Sequence, residues 1–171
     1  MEIHYPWDFR RYLARRVKLG NSVLIGKDVQ FGVSCPNGEN GEPMIVIEDG
    51  CVIQRRCQIS AKNRIHLEPG VLVSASALIM DHNHVFEDIT RPIKDQGITT
   101  GGTIRIEQGC WIGFGAAVVC NQGELVLGRN SVVAANALVT KSCPPNSVLV
   151  GNPARVARYF DAAKNAWMPP L

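Results

Sequence analysis

Aliphatic residues recur every six positions along most of the chain. The repeating positions contain only Ile, Leu and Val, and they fall into triplets: Ile47, Ile53, Ile59, Leu67, Val73, Ile79, Ile106, Ile112, Val118, Leu127, Val133 and Val139. An earlier pair, Ile25 and Phe31, keeps the same spacing. A period of six matches neither the 3.6 residues of an amphipathic helix nor the simple alternation of a strand. It predicts an all-β solenoid in which three short strands form each coil and stacked coils bury a continuous inner stripe.

Small residues recur four positions after many of these aliphatic residues. They are Cys35, Cys51, Cys57, Ala77, Cys110, Ala116, Ser131, Ala137 and Cys143. Small side chains suit the crowded inner corners of a coil, so five of the six cysteines have a packing explanation. The chain contains no CxxC pair and its histidines lie at unrelated spacings, so we predict neither a metal site nor a disulfide framework. Cys120, beside a break in the repeat at 121–126, is the one cysteine for which a reactive, exposed thiol stays open as an alternative.

The charge balance and the hydropathy of the chain exclude several classes of function. The net charge is +3, and the first twenty residues hold five basic against two acidic side chains, so the rest of the chain is neutral. This balance argues against nucleic-acid binding. No apolar run is long enough to span a bilayer and no signal-peptide core is present, which predicts a cytoplasmic protein. Residues 7–18 are predicted to form a short basic helix that caps the first coil. Contact of this helix with an anionic membrane surface is the alternative, and it would place the protein at the inner membrane face.

Several segments resemble a known family. Residues 25–30 (Ile-Gly-Lys-Asp-Val-Gln), 112–117 (Ile-Gly-Phe-Gly-Ala-Ala) and 127–132 (Leu-Gly-Arg-Asn-Ser-Val) resemble the hexapeptide repeat of left-handed β-helix acyltransferases. Trp111-Ile-Gly, Val139-Thr-Lys and Gly151-Asn-Pro-Ala-Arg-Val are similar to the C-terminal signature of the galactoside, maltose and nodulation-factor acetyltransferase group. The likeness covers roughly residues 20–158 and is closest in style to the O-acetyltransferases of polysaccharide gene clusters, such as colanic-acid and capsule enzymes.

The resemblance implies an architecture. It predicts a left-handed parallel β-helix of about five coils, assembled as a homotrimer with active sites between subunits. We divide the chain into a cap at 1–20, the β-helix at 21–156 and a short C-terminal helix or tail at 157–171. Two departures from the family pattern are a turn-rich insertion at 35–43 and about three extra residues at 121–126.

Residues 80–102 interrupt the repeat, and such long excursions from a rigid scaffold often carry binding and catalytic groups. The excursion includes Asp81-His82-Asn83-His84. The resemblance implies a catalytic histidine at the start of this loop, where imidazole would take the proton of a sugar hydroxyl and return it to the departing thiolate. We favour His84, because Asn83-His84 resembles the Asn-His pair of xenobiotic acetyltransferases, and keep His82 as the alternative. Asp81 would orient the imidazole and Asn83 would contact the substrate.

The donor site follows from the resemblance alone. It implies acetyl-CoA as donor, with no metal, and carries over six residues: Phe114, Ala135, Thr140, Lys141, Arg155 and Arg158. Backbone groups at Phe114 and Ala135 would line the pantetheine groove, and Lys141 and Arg155 would hold the CoA phosphates. A plain surface cation is the preferred interpretation of Arg158. The chain contains no Gly-x-Ser-x-Gly elbow, so direct transfer is predicted rather than an acyl-serine intermediate.

The family resemblance, together with the loop histidines, predicts an O-acetyltransferase that moves acetyl from acetyl-CoA to a sugar hydroxyl of a polysaccharide, a glycan or its precursor. N-acetylation of an amino-sugar nucleotide is a second possibility on the same fold. A non-catalytic β-helix scaffold is a third. A carbonic-anhydrase-like protein would need three zinc-binding histidines across a subunit interface, which the spacing of His66, His82 and His84 does not offer convincingly.

Overall fold

The computed structural model describes residues 16–34 and 42–170, and their secondary structure is almost entirely short strands. The strands form three sheets, which we call A, B and C. Sheet A contains β1 (Val17–Leu19), β4 (Ile45–Ile47), β7 (Arg64–Leu67), β10 (Gly101–Ile106) and β13 (Gln122–Leu127). Sheet B contains β2 (Leu24–Ile25), β5 (Val52–Ile53), β8 (Leu72–Val73), β11 (Trp111–Ile112), β14 (Val132–Val133) and β16 (Ser147–Val150). Sheet C contains β3 (Gln30–Val33), β6 (Gln58–Ala61), β9 (Leu78–Met80), β12 (Ala117–Val119) and β15 (Leu138–Val139).

The chain passes from sheet A to B to C and then returns to A, so that every third strand is a hydrogen-bonded neighbour. All pairs among β1 to β16 are parallel. Strands β1–β3 therefore form the first coil, β13–β15 form the fifth, and β16 begins another. The predicted parallel β-helix of about five coils is confirmed.

The inner stripe of the solenoid matches the period-six series. All twelve aliphatic residues of the series, from Ile47 to Val139, are at most 1% exposed. The small residues that follow them at the corners, including Cys51, Cys110 and Ala137, are buried as well. Ile25 in the first coil is 41% exposed, because no described strand pairs with β2 on its outer side. The hexapeptide period therefore corresponds directly to the packed core.

The corner between sheets B and C repeats one backbone conformation in each coil. Asp28, Arg56, Ser76, Gly115 and Asn136 all have left-handed backbone, with φ between 59° and 63°. Just before this corner in the fourth coil, a Cβ on Gly113 would lie only 2.6 Å from the carbonyl oxygen of Val133 in the next coil. Adjacent coils therefore approach closely here, and glycine at 113 permits that approach.

The long excursion leaves the helix where it was predicted, between the end of β9 at Met80 and the start of β10 at Gly101. It contains one short 3₁₀ turn, Ile93–Asp95. The segment 121–126 was predicted to carry about three extra residues at a turn. All of it except Asn121 lies instead in β13, whose six residues pair with all six of β10. The extra length therefore continues sheet A beside the strand by which the loop returns.

The C-terminal segment differs from the prediction. A helix was expected over 157–167, but the structure has β17 (Arg155–Asp161) and β18 (Ala166–Met168), an antiparallel hairpin that extends sheet B. Strand β17 pairs with β16, and Phe160 packs edge-on against Trp167 with ring centroids 5.6 Å apart. The exposed backbone edge of β16 explains this outcome, since it provides a template for a further strand.

Two sequence-based expectations lie largely outside the described residues. The predicted basic helix at 7–18 falls mostly in the segment that precedes Arg16, and Val17 and Lys18 belong to β1. Most of the insertion at 35–43 is likewise not described. Among residues 16–34 and 42–170, no helix has the length and hydrophobicity required to cross a membrane.

Candidate functional site

A buried carboxylate lies at the base of the excursion. Asp81, which directly follows β9, is fully buried. Its Oδ1 accepts a hydrogen bond from the backbone N–H of Lys62 at 2.7 Å, and its Oδ2 accepts from Asn63 and Arg64 at 2.8 and 3.0 Å. Three backbone donors therefore point at the two carboxyl oxygens, which act as acceptors. The carboxylate thereby fixes the corner of the preceding coil to the start of the excursion.

The imidazole of His82 lies between Asp81 and a hydroxyl. His82 is 7% exposed, and its Nδ1 is 3.0 Å from Oδ1 of Asp81. Its Nε2 is 3.0 Å from the hydroxyl oxygen of Ser34. Because an ionised carboxylate only accepts, Nδ1 carries the proton, and Nε2 of the neutral ring presents its lone pair to the Ser34 hydroxyl. The arrangement holds an imidazole base against an O–H group.

The remainder of the loop is fixed by the same corner. The Lys62 ammonium donates a hydrogen bond to the carbonyl oxygen of Thr99, and the Asn63 amide donates to those of Thr100 and Gly102 at 3.0 Å each. Two adjacent side chains in the second coil therefore hold the strand by which the loop returns. This places the start and the end of the excursion side by side.

The structure separates the two candidate histidines. His84 is exposed and forms an antiparallel bridge with Ile98. The backbone N–H of Asn83 donates to the hydroxyl of Thr99 at 3.1 Å, and the Asn83 carbonyl oxygen accepts from the N–H of Thr99 at 2.8 Å. The Asn83 side chain accepts a hydrogen bond from the backbone N–H of His84 at 2.9 Å. Asp81 thus contacts the imidazole of His82, whereas His84 lies two residues farther out on the loop surface.

Ser34 and the corner of Lys62 and Asn63 were not predicted from the sequence. A signal was nevertheless present. Each of Ser34, Lys62 and His82 follows an inner residue of sheet C by three positions, and the strand registers place the three on one row across successive coils. The repeat therefore contains the information that His82 shares a row with Ser34.

The donor-site candidates lie along two edges of sheet C. Phe114 and Ala135 are exposed at the corner between sheets B and C, in adjacent coils. Arg155 begins β17 close by, since the N–H of its neighbour Ala154 donates to the carbonyl oxygen of Leu138 at 2.7 Å. Thr140 and Lys141 are exposed at the opposite edge, after β15. Phe114 and Ala135 therefore share one corner, Arg155 begins β17 beside β15, and Thr140 and Lys141 lie on the edge that also carries His82.

Arg158 lies apart from this group, on β17 opposite Val148 of sheet B, and is exposed. Trp111 is half-exposed on the outer face of sheet B, where its indole N–H donates to the hydroxyl of Ser74 at 2.9 Å. Both positions are on the sheet that neighbours the Phe114 corner.

The described cysteines have the properties of packing residues. Cys51, Cys57, Cys110, Cys120 and Cys143 are all buried. Burial raises the pKa of the Cys110 thiol to about 12 and raises the pKa of Cys120 as well, which keeps both thiols protonated at neutral pH. In residues 16–34 and 42–170, no group of three or more His, Cys, Asp or Glu side chains is arranged to hold a metal ion.

Relatives of this chain are found by sequence, although no protein-family model matches it. It is 36% identical over 110 residues to the acetyltransferase Rv3034c of Mycobacterium tuberculosis, covering 64% of this chain and 35% of that protein. It is 22% identical over 157 residues to WbbJ of Escherichia coli K12, assigned to lipopolysaccharide biosynthesis as an O-acetyl transferase, covering 88% of this chain and 79% of WbbJ. The chain thus spans about a third of the first relative and most of the second.

Solved structures show the same fold. A hexapeptide-repeat acetyltransferase from Vibrio cholerae, complexed with acetyl-CoA, superposes with a TM-score of 0.68 at 24% identity, covering 94% of this chain and 80% of that one. A galactoside acetyltransferase complexed with coenzyme A gives a TM-score of 0.71 at 21% identity, covering 94% and 76%. The fold is therefore the left-handed parallel β-helix, and the homologues and structural neighbours of this chain are hexapeptide-repeat acetyltransferases.

Proposed function

We propose that the protein is an acetyl-CoA-dependent O-acetyltransferase that acts on a sugar hydroxyl of a glycan or its precursor. The observation that carries the proposal is the imidazole of His82, buried between the Asp81 carboxylate and a hydroxyl group. The relatives support the same reaction class, since WbbJ is assigned to lipopolysaccharide O-acetylation and two neighbours are complexed with acetyl-CoA or CoA.

His82 is the general base in this proposal. The acceptor hydroxyl takes the place of the Ser34 hydroxyl at Nε2, and the imidazole removes its proton as the oxygen attacks the thioester carbon. The new C–O bond forms, the C–S bond breaks, and the proton passes from Nε2 to the departing CoA thiolate. Asp81 keeps the Nδ1–H tautomer throughout and stabilises the imidazolium that forms between the two proton transfers. His82 therefore replaces His84 as the proposed general base, because its imidazole is the one in contact with Asp81.

The donor would lie on sheet C in the fourth and fifth coils. The exposed residues Phe114 and Ala135, at the same corner of adjacent coils, would line the groove for the pantetheine chain. Arg155 and Lys141 are exposed cations at the two edges of this face and would bind the CoA phosphates. Arg158 lies on β17 of sheet B, away from this face, and contributes less.

We further propose that the active unit is a homotrimer. Within one chain, Phe114 and His82 lie at opposite edges of sheet C, with strands such as β12 running between the two edges. A second copy packed beside sheet C would bring its own Phe114 corner to the His82 edge of the first. The exposed apolar side chains of Trp111, Phe114 and the loop residues Phe86 and Ile89 favour such contacts.

The test is thiol release from acetyl-CoA with a panel of sugars, nucleotide sugars, amino-sugar nucleotides and oligosaccharides, together with calorimetry of CoA binding. We expect acceptor-dependent release and binding of one CoA per protomer. Release only with amino sugars would replace O-acetylation by N-acetylation. No release with any acceptor and no CoA binding would overturn the proposal and favour a scaffold.

A further inference from the structure

The outer face of sheet C changes character between the second and third coils. Its outward rows are polar or small in the first two coils, at Gln30, Gln58, Gly32 and Ser60, and apolar in the third and fourth, at Leu78, Met80, Ala117 and Val119. In the fifth coil the rows end on Leu138 and the exposed Thr140. The same sheet therefore presents two chemically distinct surfaces along the solenoid axis. We call residues 27–34 and 55–60 the upper surface.

The corner beside this face changes at the same level. Lys27 and Arg55 occupy the corner in the first two coils, and Ala75, Phe114 and Ala135 occupy it below, as the backbone hydrogen bonds between successive coils show. Lys27, Arg55 and the adjacent Arg56 are all exposed. In the part of the chain that the structure describes, none of these three cations forms an ion pair. The neighbouring exposed Asp28 leaves the corner with a net positive charge.

His82 connects the two surfaces. Its backbone belongs to the third coil, but its Nε2 reaches Ser34 at the end of the first coil, past the row position of Lys62. The nitrogen that meets the acceptor therefore faces the upper surface. A base placed here can receive an acceptor from the upper surface of its own chain and a donor bound at the Phe114 corner of a second copy.

We infer that the upper surface is the acceptor site, and that it recognises a glycan bearing an anionic group, which Lys27, Arg55 and Arg56 bind. The inference rests on the proposed function and specifies its substrate class. The acceptor hydroxyl replaces Ser34 at His82, and the side-chain amides of Gln30 and Gln58 hydrogen-bond sugar hydroxyls between the two ends.

The dimensions of the surface restrict the acceptor further. Lys27 and Ser34 lie at opposite ends of the side of the coil formed by β3, whose four residues alone span about 13 Å, and long cationic side chains shorten the distance to be bridged. A single sugar ring cannot contact both ends. A nucleotide sugar or an oligosaccharide bearing phosphate can, and two arginines provide the forked donors that phosphate oxygens accept.

The first test is calorimetry of inorganic pyrophosphate binding to the full chain saturated with CoA, so that the cations that hold the donor phosphates are already occupied. The double variant Arg55→Gln/Arg56→Gln should raise the dissociation constant about tenfold, and Arg55→Lys/Arg56→Lys should restore most of the affinity. The matched control, Arg129→Gln/Lys164→Gln, removes the same charge from exposed sites elsewhere and should leave binding unchanged. Equal weakening in both Gln double variants, or in neither, would overturn the inference.

The second test is the acceptor preference. In the Arg55→Gln/Arg56→Gln variant, kcat/KM should fall about tenfold for phosphate-bearing acceptors, stay unchanged for their uncharged counterparts, and leave the KM for acetyl-CoA unaltered. Competition by pyrophosphate but not by glucuronate identifies the anion as phosphate, and the opposite pattern identifies a carboxylate. An equal fall for charged and uncharged acceptors contradicts the inference. No transfer with any acceptor, alongside intact pyrophosphate binding, refutes the proposed function and leaves the anion site.

Discussion

The buried carboxylate of Asp81 makes the sharpest stability prediction. It accepts three backbone N–H groups and the imidazole N–H of His82. Asp81→Asn preserves the shape but replaces one acceptor oxygen with an NH₂ donor, which then faces backbone donors. Hydrogen bonds to a charged group contribute about 1.5–3 kcal/mol each, and a stranded buried donor costs about 1–3 kcal/mol. Because the amide oxygen still accepts two of these bonds and the imidazole can change tautomer, we expect a loss of about 3 kcal/mol in the free energy of unfolding.

Urea unfolding at one fixed protomer concentration measures this loss, since assembly makes apparent stability depend on concentration. The control is Asp88→Asn. Asp88 is an exposed loop residue whose carboxylate accepts only from the N–H and hydroxyl of Thr90, at 2.9 and 2.6 Å. The control should lose much less stability than Asp81→Asn, because its partners are exposed to water. A loss in Asp81→Asn no larger than in Asp88→Asn would show that the Asp81 carboxylate does not fix the corner at Lys62 to Arg64.

The same substitution should impair catalysis separately from stability. An NH₂ donor opposite Nδ1 favours the tautomer with the proton on Nε2, which leaves no lone pair for the acceptor hydroxyl. At a temperature where Asp81→Asn is fully folded, transfer should fall by about 10² or more while acetyl-CoA affinity changes less than about threefold. Unchanged transfer in the folded variant would exclude Asp81 as the orienting group.

Three further predictions follow from the coils. Gly113→Ala places a Cβ against the backbone of the next coil, and urea unfolding should show a loss of about 3 kcal/mol in the free energy of unfolding. Gly50→Ala, whose Cβ would meet nothing within 4 Å, should lose only about 1 kcal/mol. Equal losses would contradict the close approach of the coils at Gly113. Burial raises the pKa of Cys110 from 9.0 to about 12, so at pH 8 its thiolate fraction lies about a thousandfold below that of the unfolded chain. Alkylation of Cys110, followed by peptide mass spectrometry, should therefore be slow until the protein unfolds. Fast alkylation of the native protein would refute the buried position of this thiol. Mixing inactive His82→Ala with inactive Ala135→Glu subunits should restore transfer if sites form between copies, whereas no recovery would place each site within one chain.

The solenoid was predictable because its core residues recur every six positions along the sequence. Every residue of the period-six series became an inner residue, since a parallel stack places equivalent positions above one another. The C-terminal hairpin was not predictable in the same way. Residues 157–167 carry no six-residue signal, and their strand conformation depends on the free edge of β16, which is a tertiary property.

The site was predictable in part. The excursion at 81–102 and its cluster of polar residues follow from the break in the repeat, but the ranking of His82 and His84 did not. That ranking depends on which ring meets the Asp81 carboxylate, and on the reach of His82 across two coils to Ser34. Side-chain direction at a corner is set by backbone geometry, which a residue pattern along one chain does not specify.

The central claim is that His82, oriented by Asp81, removes the acceptor proton. Its most direct test is the rate of acceptor-dependent thiol release from acetyl-CoA for the wild type, His82→Ala and His84→Ala, at saturating donor and equal folded protein. The account predicts a fall of about 10² or more in His82→Ala, and a change of no more than a few fold in His84→Ala. A rate that survives in His82→Ala and is lost in His84→Ala would contradict it and assign the proton transfer to His84.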